Sequence, residues 1–179
     1  MDDVNAATTT LPARRAAGER APSFASVAEQ HLDDVYRYLL VFTRDPVAAE
    51  DLAGETFERA LRAWCRFDPR RSSPRTWLCT IARSAALDHF RAETRRRRRE
   101  QLAAEAQRDV DPPELGLSAE LERALRSLSA ADREVIALRI VLDLDSETTA
   151  RLIGVSPTAC TTRLNRALQR LEERMTDDD

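Results

Sequence analysis

The sequence contains no lysine, so arginine supplies all 28 of its basic residues. We attribute this to a genome-wide composition bias, although arginine also suits bidentate phosphate contacts. Four glycines and 5% aromatic residues in a chain rich in Ala and Leu favour an all-helical protein. No apolar run approaches the roughly 18–20 residues of a membrane span, and the N-terminus does not resemble a secretory signal. These absences predict a cytoplasmic protein without direct membrane insertion.

The residues that carry most enzyme chemistry are also scarce. His31 and His89 are the only histidines, and neither has a Ser, Cys or acidic residue at a recognisable motif spacing. The three cysteines, Cys65, Cys79 and Cys160, are widely spaced and odd in number, which indicates neither a disulfide framework nor a zinc site. A glycine-rich phosphate loop is absent as well. We therefore predict no enzyme activity, no metal, no cofactor and no small-molecule substrate.

Charge is strongly segregated along the chain. Residues 72–99 hold eight arginines against two acidic residues, including the run Arg95–Arg99, whereas residues 100–124 hold seven acidic residues against two arginines. The helical pattern just before residue 72 carries an acidic face of its own. A basic surface suits a polyanion and an acidic surface suits a basic protein, so this pattern favours a bridging protein.

Residues 24–99 form the first periodic block, after a lead-in over residues 1–23 that is expected to be disordered. Asp45 is placed to cap a helix that begins at Pro46. The apolar stripe of that helix is predicted to comprise Leu52, Phe57, Ala60, Leu61 and Trp64. A loop over residues 67–74 follows, and the next helix leads into the arginine run.

Residues 100–118 are acidic and contain Pro112-Pro113, which predicts a flexible linker. In the second block, residues 119–175, we predict helices over 132–142 and 146–153. Gly154 then ends one helix, while Ser156 and Pro157 begin the last. Nothing in either block resembles a strand. The fold class is all-α, with two small helical domains of which the second has a helix-turn-helix layout.

The last helix carries two polar stripes beside its apolar one. Short polar residues near a helix N-terminus can contact base edges, and arginines can hold phosphates. An ordinary helical hairpin with a solvated face would show the same spacing. The stripes comprise Thr158, Thr162, Asn165 and Gln169, and Arg163, Arg166 and Arg170.

Two segments in this order resemble the extracytoplasmic-function sigma factors of bacterial RNA polymerase. The first contains DPVAAEDLAGETFERALRAW and FDPRRSSPRTWLCTIARSAALDHFR, and the second is LSAADREVIALRIVLDLDSETTARLIGVSPTACTTRLNRALQRL. The resemblance implies a region 2-like domain over 24–99 that binds core polymerase and the −10 promoter element. It also implies a region 4-like domain over 119–175 that binds the −35 element.

The resemblance also implies roles for particular residues. The helix after Pro46 is similar to the one that docks on the polymerase clamp, although its charges could simply pair within the helix as Glu55–Arg59 and Glu58–Arg62. The following loop and helix are similar to the part that melts and reads the −10 element, where Asp88 could accept from a base or orient Arg91. The implied polymerase-binding residues are Asp51, Glu55, Glu58 and Arg59. The implied −10 residues are Arg70, Arg71, Arg75, Trp77, Arg83, Ser84, Asp88, Arg91 and Arg95, and the implied −35 residues are Thr158, Thr161, Thr162, Arg163, Asn165 and Arg166.

The chain departs from the family pattern at several of these positions. Gly54 stands where Gln is usual, Pro74 where Leu or Phe is usual, and Ser84 where Asn is usual. Thr149 replaces an aliphatic residue, and Thr161 replaces a phosphate-binding lysine. The expected partners are core RNA polymerase, promoter DNA and an anti-sigma factor. A stand-alone helix-turn-helix regulator and a sigma-like decoy for an anti-sigma factor are the alternatives.

Overall fold

The computed structural model describes residues 22–102 and 117–176, which form seven α-helices and no strand. The helices are α1 (Phe24–Thr43), α2 (Pro46–Ala63), α3 (Pro74–Leu102), α4 (Ala119–Ser127), α5 (Ala130–Ile136), α6 (Ser146–Ile153) and α7 (Pro157–Thr176). The predicted all-α class is confirmed. Most of the predicted lead-in and of the predicted acidic linker lies outside the described residues.

The junction between α1 and α2 is defined by local capping. Arg44 ends α1 in the left-handed conformation at φ 60°, and its N–H donates to the Leu40 carbonyl. Oδ1 of Asp45 then accepts from the N–H groups of Val47 and Ala48 at 3.0 and 3.1 Å, and Pro46 occupies the first turn, where no intrahelical partner is needed. The predicted cap is confirmed, and it folds α2 back along α1.

Helices α1, α2 and α3 enclose the first core, which is built around Tyr38, Leu39, Phe42 and Leu78. Leu61 was predicted to join the apolar stripe of α2, and this is wrong: its side chain is 59% exposed. The buried stripe follows Leu52, Thr56 and Ala60 at four-residue steps. Leu61 is one residue further and therefore lies about 100° around the helix from that stripe.

The predicted helix over 132–142 differs from the structure at both ends. Helix α5 begins earlier, at Ala130, because the Ser129 hydroxyl caps it by accepting from the Asp132 N–H at 3.1 Å. Its continuation, Ala137–Val141, is wound as a π-helix, in which the Leu142 N–H donates to the Ala137 carbonyl at 3.0 Å. The wider turn leaves Ile140 55% exposed.

The helix-turn-helix is formed by α6 and α7, as predicted. Gly154 ends α6 at φ 74°, a left-handed conformation that favours glycine. Oγ of Ser156 accepts from the Ala159 N–H at 3.1 Å and so caps α7. Cys160, Leu164 and Ala167 point from α7 into a second core, against Leu125, Val135 and Ala150 of α4, α5 and α6.

Candidate nucleic-acid and protein interfaces

The outer face of α2 is acidic and exposed. Asp51, Glu55 and Glu58 lie on this face, and two arginines partly neutralise it. The Arg59 Nη2–Glu55 Oε1 distance is 2.5 Å and the Arg62 Nη2–Glu58 Oε2 distance is 3.1 Å. Both predicted intrahelical pairs therefore form. Asp51 has no such partner within its own helix in the described structure, which leaves its carboxylate available to a basic protein surface.

Arg59 also links α2 to α3. Its Nη1 lies 3.6 Å from Oδ2 of Asp88, and Oδ1 of Asp88 accepts from Nη1 of Arg91 at 3.2 Å. The intrahelical Asp88–Arg91 pair, one of the two alternatives expected for Asp88, therefore forms. A shallow groove of about 410 Å³ runs between the two helices and is lined in part by Asp51, Asp88, the half-buried His89 and Arg95. Predicted polymerase-binding and −10 residues thus share one groove.

Three aromatic rings pack against one another at the base of the loop before α3. Trp64 stacks on Phe67 with ring centroids 5.0 Å apart, and Trp77 lies 5.1 Å from Phe67 and 5.8 Å from Trp64. Trp77 is half-buried and belongs to this packing. The cluster fixes the loop from Asp68 onwards, where Arg70 and Arg71 are exposed.

The predicted −10 residues of α3 do not all lie on the same face. Ser84, Asp88, Arg91 and Arg95 are exposed and follow one side of the helix. Two arginines instead turn towards other helices. Nε of Arg75 lies 3.0 Å from Oδ2 of Asp34 in α1, without hydrogen-bond geometry. Nε of Arg83 donates to Oε1 of Glu134 in α5 at 2.6 Å.

The N-terminal half of α7 presents the predicted −35 residues to solvent. Thr158, Thr161, Thr162, Asn165 and Arg166 are exposed, and Arg163 is half-buried. The Thr161 hydroxyl donates to the Pro157 carbonyl at 3.1 Å and lies 3.1 Å from the Ser146 hydroxyl, so it braces α6 against α7. A groove of about 470 Å³ follows this face, and Arg170 at its end pairs with Asp132 at 2.7 Å.

Burial shifts two ionisable groups near α3. The pKa of Glu134 is raised, because burial disfavours its charged form more strongly than Arg83 and Arg163 favour it. Burial also raises the pKa of the Cys79 thiol to about 12, so this cysteine is inert at neutral pH. No local sequence pattern marks Glu134, since its partner Arg83 is 51 residues away along the chain.

No helix in the described ranges is both long and apolar enough to cross a membrane. Within residues 22–102 and 117–176, no group of three or more His, Cys, Asp or Glu side chains could hold a metal ion. The described residues form an all-helical protein with a helix-turn-helix in one half and an exposed acidic helix in the other, an arrangement typical of a DNA-binding protein.

Comparison with known proteins places this fold in a family. The family model for sigma-70 region 2 matches residues 27–96, and that for sigma-70 region 4 matches residues 118–171. The ECF RNA polymerase sigma factor BldN of Streptomyces coelicolor is 36% identical over 183 residues, which cover 99% of this chain and 69% of BldN. SigX of Bacillus subtilis, another ECF sigma factor, is 30% identical over 163 residues, covering 86% of this chain and 84% of SigX.

A solved structure shows the same architecture. The sigma factor RpoE of Bartonella quintana, determined in complex with the anti-sigma factor NepR, superposes with a TM-score of 0.73 at 25% identity, covering 87% of this chain and 98% of RpoE. The chain therefore belongs to the ECF sigma factors of RNA polymerase. It is a transcription initiation factor, whose partners are core RNA polymerase and promoter DNA. Its family consists of regulators of transcription, not of enzymes.

Proposed function

We propose that three separate helix faces divide the work of initiation. The acidic face of α2 binds core polymerase, the exposed face of α3 captures the −10 element, and α7 reads the −35 element. The domains correspond to residues 24–99 and 119–175, joined by a linker over 100–118. The observation that supports this best is that α2 exposes acidic side chains while α3 and α7 expose basic and polar ones, so each helix offers a surface of its own chemistry.

Binding to core polymerase is assigned to Asp51, Glu55 and Glu58, with Arg59 holding Glu55 in place. Complementary charge mainly sets the association rate and the register of a complex. We place this encounter in the cytoplasm, where both polymerase and promoter DNA are found. No catalytic residue is assigned, so the protein acts by binding alone.

Capture of the −10 element is assigned to Ser84, Asp88, Arg91 and Arg95, with Arg70 and Arg71 as phosphate contacts on the adjoining loop. Unstacking a base costs roughly a few kcal/mol, which arginine–phosphate contacts offset. The pairing of Asp88 with Arg91 presents that guanidinium in a fixed direction. Trp77 supports the loop through its packing against Phe67, which orders the segment that has to receive the strand.

Reading of the −35 element is assigned to Thr158, Thr162 and Asn165 for bases, and to Arg163 and Arg166 for phosphates. The Thr161 hydroxyl makes its hydrogen bonds to α6 and α7 within the protein. We therefore assign Thr161 to the positioning of α7, and not to the phosphate contact that lysine makes at this position in the family. An anti-sigma factor is proposed as a further partner, because the similar RpoE was solved with NepR. Such a partner would compete with core polymerase for α2.

Run-off transcription with core polymerase on a promoter library tests this proposal. We expect transcripts from the wild type, a strong reduction for Asp51→Arg, and little change for Asp33→Arg, which reverses an exposed charge on α1. If the wild type forms no open complex on any promoter, the initiation mechanism is wrong. Tight, specific binding of promoter DNA by the isolated protein would instead favour a stand-alone regulator.

A further inference from the structure

Three arginines meet where α1 and α4 end. The guanidinium group of Arg133 in α5 lies between these helix ends, because its Nε donates to the Phe42 carbonyl at 3.3 Å and its Nη1 donates to the Leu128 carbonyl at 2.5 Å. Arg44 follows Phe42 by two residues along the chain, and Arg126 precedes Leu128 by two residues. We call Arg44, Arg126 and Arg133 the arginine cluster.

The positive charges of the arginine cluster are close enough to affect one another. Burial lowers the pKa of Arg44, and the charge of Arg126 lowers it further. Burial also lowers the pKa of Arg133 to about 10, and the charge of Arg44 adds to this effect while Asp132 opposes it. Surroundings that disfavour the protonated form of an arginine are poor in water and in negative charge. An added anion would therefore be attracted to the cluster.

Arg44 has no counter-ion among the described residues. It forms no ion pair there, and none of its guanidinium nitrogens donates a hydrogen bond to another described residue. The neighbouring Asp45 uses its carboxylate to cap α2. A charged donor that leaves water without gaining an acceptor is destabilising. The Arg44 side chain thus offers hydrogen bonds that the described protein leaves unused.

The carboxylates nearest to the arginine cluster are already engaged. Oε2 of Glu122 lies 3.5 Å from Nη2 of Arg126. Oδ2 of Asp132, which attracts Arg133, lies 2.7 Å from Nη1 of Arg170 on α7. The carbonyl groups at the two helix ends supply only partial negative charge. Positive charge therefore remains in excess at the cluster.

We propose that the arginine cluster binds the phosphate group of a small free anion. Guanidinium groups match the geometry of phosphate oxygens and hold them through paired, charge-assisted hydrogen bonds. The half-buried Arg44 donates to the phosphate through its terminal nitrogens, and Arg133 adds its charge from behind. The Arg126 side chain is 42% exposed, so it lies where the anion enters from solvent.

The position of the arginine cluster favours a small anion over a phosphate of the DNA backbone. Arg44 lies in the tight turn between α1 and α2, and Arg133 is buried. A free phosphate ion can enter between side chains, whereas a duplex contacts mainly exposed groups. The faces assigned to the promoter elements are also built from other residues of α3 and α7.

Calorimetric titration of the full-length protein with inorganic pyrophosphate tests the site. Chloride keeps the ionic strength constant, so that general screening does not contribute. We expect the wild type to bind saturably, with a Kd below about 1 mM. Arg44→Gln and Arg126→Gln each remove one positive charge and should weaken binding about tenfold or more. Arg37→Gln removes an exposed arginine elsewhere on α1 and should bind as the wild type does.

Thermal unfolding gives a second measurement of the same binding. A ligand that binds only the folded state raises the melting temperature. Saturating pyrophosphate should therefore raise the melting temperature of the wild type and of Arg37→Gln, and should raise that of Arg44→Gln much less. If Arg44→Gln does not fold, Arg126→Gln replaces it, because the exposed Arg126 side chain can be changed with little effect on packing.

Binding data alone can overturn the proposal. A wild type that shows no saturable binding contradicts it. Binding that both cluster variants retain at full strength also contradicts it, since pyrophosphate would then occupy another basic surface, such as the run Arg95–Arg99.

The salt dependence of promoter binding distinguishes a free anion from the DNA backbone. In the complex with core polymerase, Arg44→Gln should leave the slope of log affinity against log salt concentration unchanged. A slope reduced by about 1 would assign the cluster to a DNA phosphate and overturn the proposal of a small-anion site.

Discussion

Thr149 and Thr56 are both fully buried within helices, but only the Thr56 hydroxyl has an acceptor. Oγ1 of Thr56 donates to the Leu52 carbonyl at 2.6 Å, whereas Oγ1 of Thr149 has no partner in the described structure. A buried hydroxyl without a partner retains its desolvation penalty. An aliphatic residue is usual at the position of Thr149 in the family. The departure therefore lowers the stability of the folded protein.

We expect Thr149→Val to stabilise the protein by about 1 kcal/mol, because it replaces an unsatisfied hydroxyl with a methyl group of similar size. Thr56→Val is the matched control. It should destabilise the protein by about 1 kcal/mol through loss of its hydrogen bond. Thermal unfolding followed by circular dichroism measures both. Equal shifts in the two variants would contradict the assignment of Thr149 as unsatisfied.

Gly54→Ala should also stabilise the protein. A Cβ atom at Gly54 would meet no atom within 4 Å, and the backbone there is helical, so alanine gains helix propensity without a clash. The expected gain is about 1 kcal/mol in unfolding free energy. Because Gly54 is exposed, the substitution should leave the packing unchanged. In a denaturant titration, the slope of unfolding free energy against denaturant concentration should then equal that of the wild type. A lower stability would show that glycine is required here.

Arg166→Ala should change how the promoter complex responds to salt. If Arg166 neutralises one phosphate, its loss lowers the slope of log affinity against log salt concentration by about 1 for the complex with core polymerase. Arg174→Ala removes the same side chain in the last turn of α7, far from the assigned −35 face, and should leave the slope unchanged. Identical slopes for the two variants would remove Arg166 from the DNA surface.

Stability should depend on pH through Glu134. Its pKa is raised above 4.5 in the folded protein, so the folded state holds this proton more tightly than the unfolded state. The contribution of Glu134 is then most favourable below about pH 4.5 and falls as pH rises through the raised pKa. The groups facing it are Arg83 on α3, Arg163 on α7 and Tyr38 on α1.

Comparison with Glu134→Gln isolates this group from the other carboxylates. Melting temperatures of the two proteins are measured between pH 4 and 8. The melting temperature of the variant should rise relative to that of the wild type as pH increases. A constant difference across that range would mean that Glu134 titrates normally in the folded protein.

The parts of the fold that sequence predicted depend on neighbouring residues. Asp45-Pro46 and the Gly154–Pro157 turn specify their caps within four residues, so both could be predicted from the local pattern. The acidic and basic faces could also be predicted, because their residues recur at helical spacing in the sequence.

The features that sequence did not predict depend on distant or subtle packing. The Arg83–Glu134 contact joins residues 51 positions apart, and in an unaligned sequence both look like ordinary solvated charges. The direction of Arg75 towards Asp34 is similarly set by how α1 packs on α3. Leu61 is exposed because the packing of α2 against α1 and α3 determines which side of α2 faces the core, and the local sequence does not.

The π-helical turn at Ala137–Val141 holds one residue more than a regular helix needs. Its wider ring accommodates one residue more than an α-helix would over the same path, and it delivers Leu142 and Leu144 into the first core while Ile140 faces outwards. Deleting one residue here would therefore let the segment rewind as an α-helix over the same path, with little rotation of the residues after it. The outward-facing Ile140 is thus the residue whose deletion this half of the protein would tolerate best, since Leu142 and Leu144 would keep their direction towards the first core.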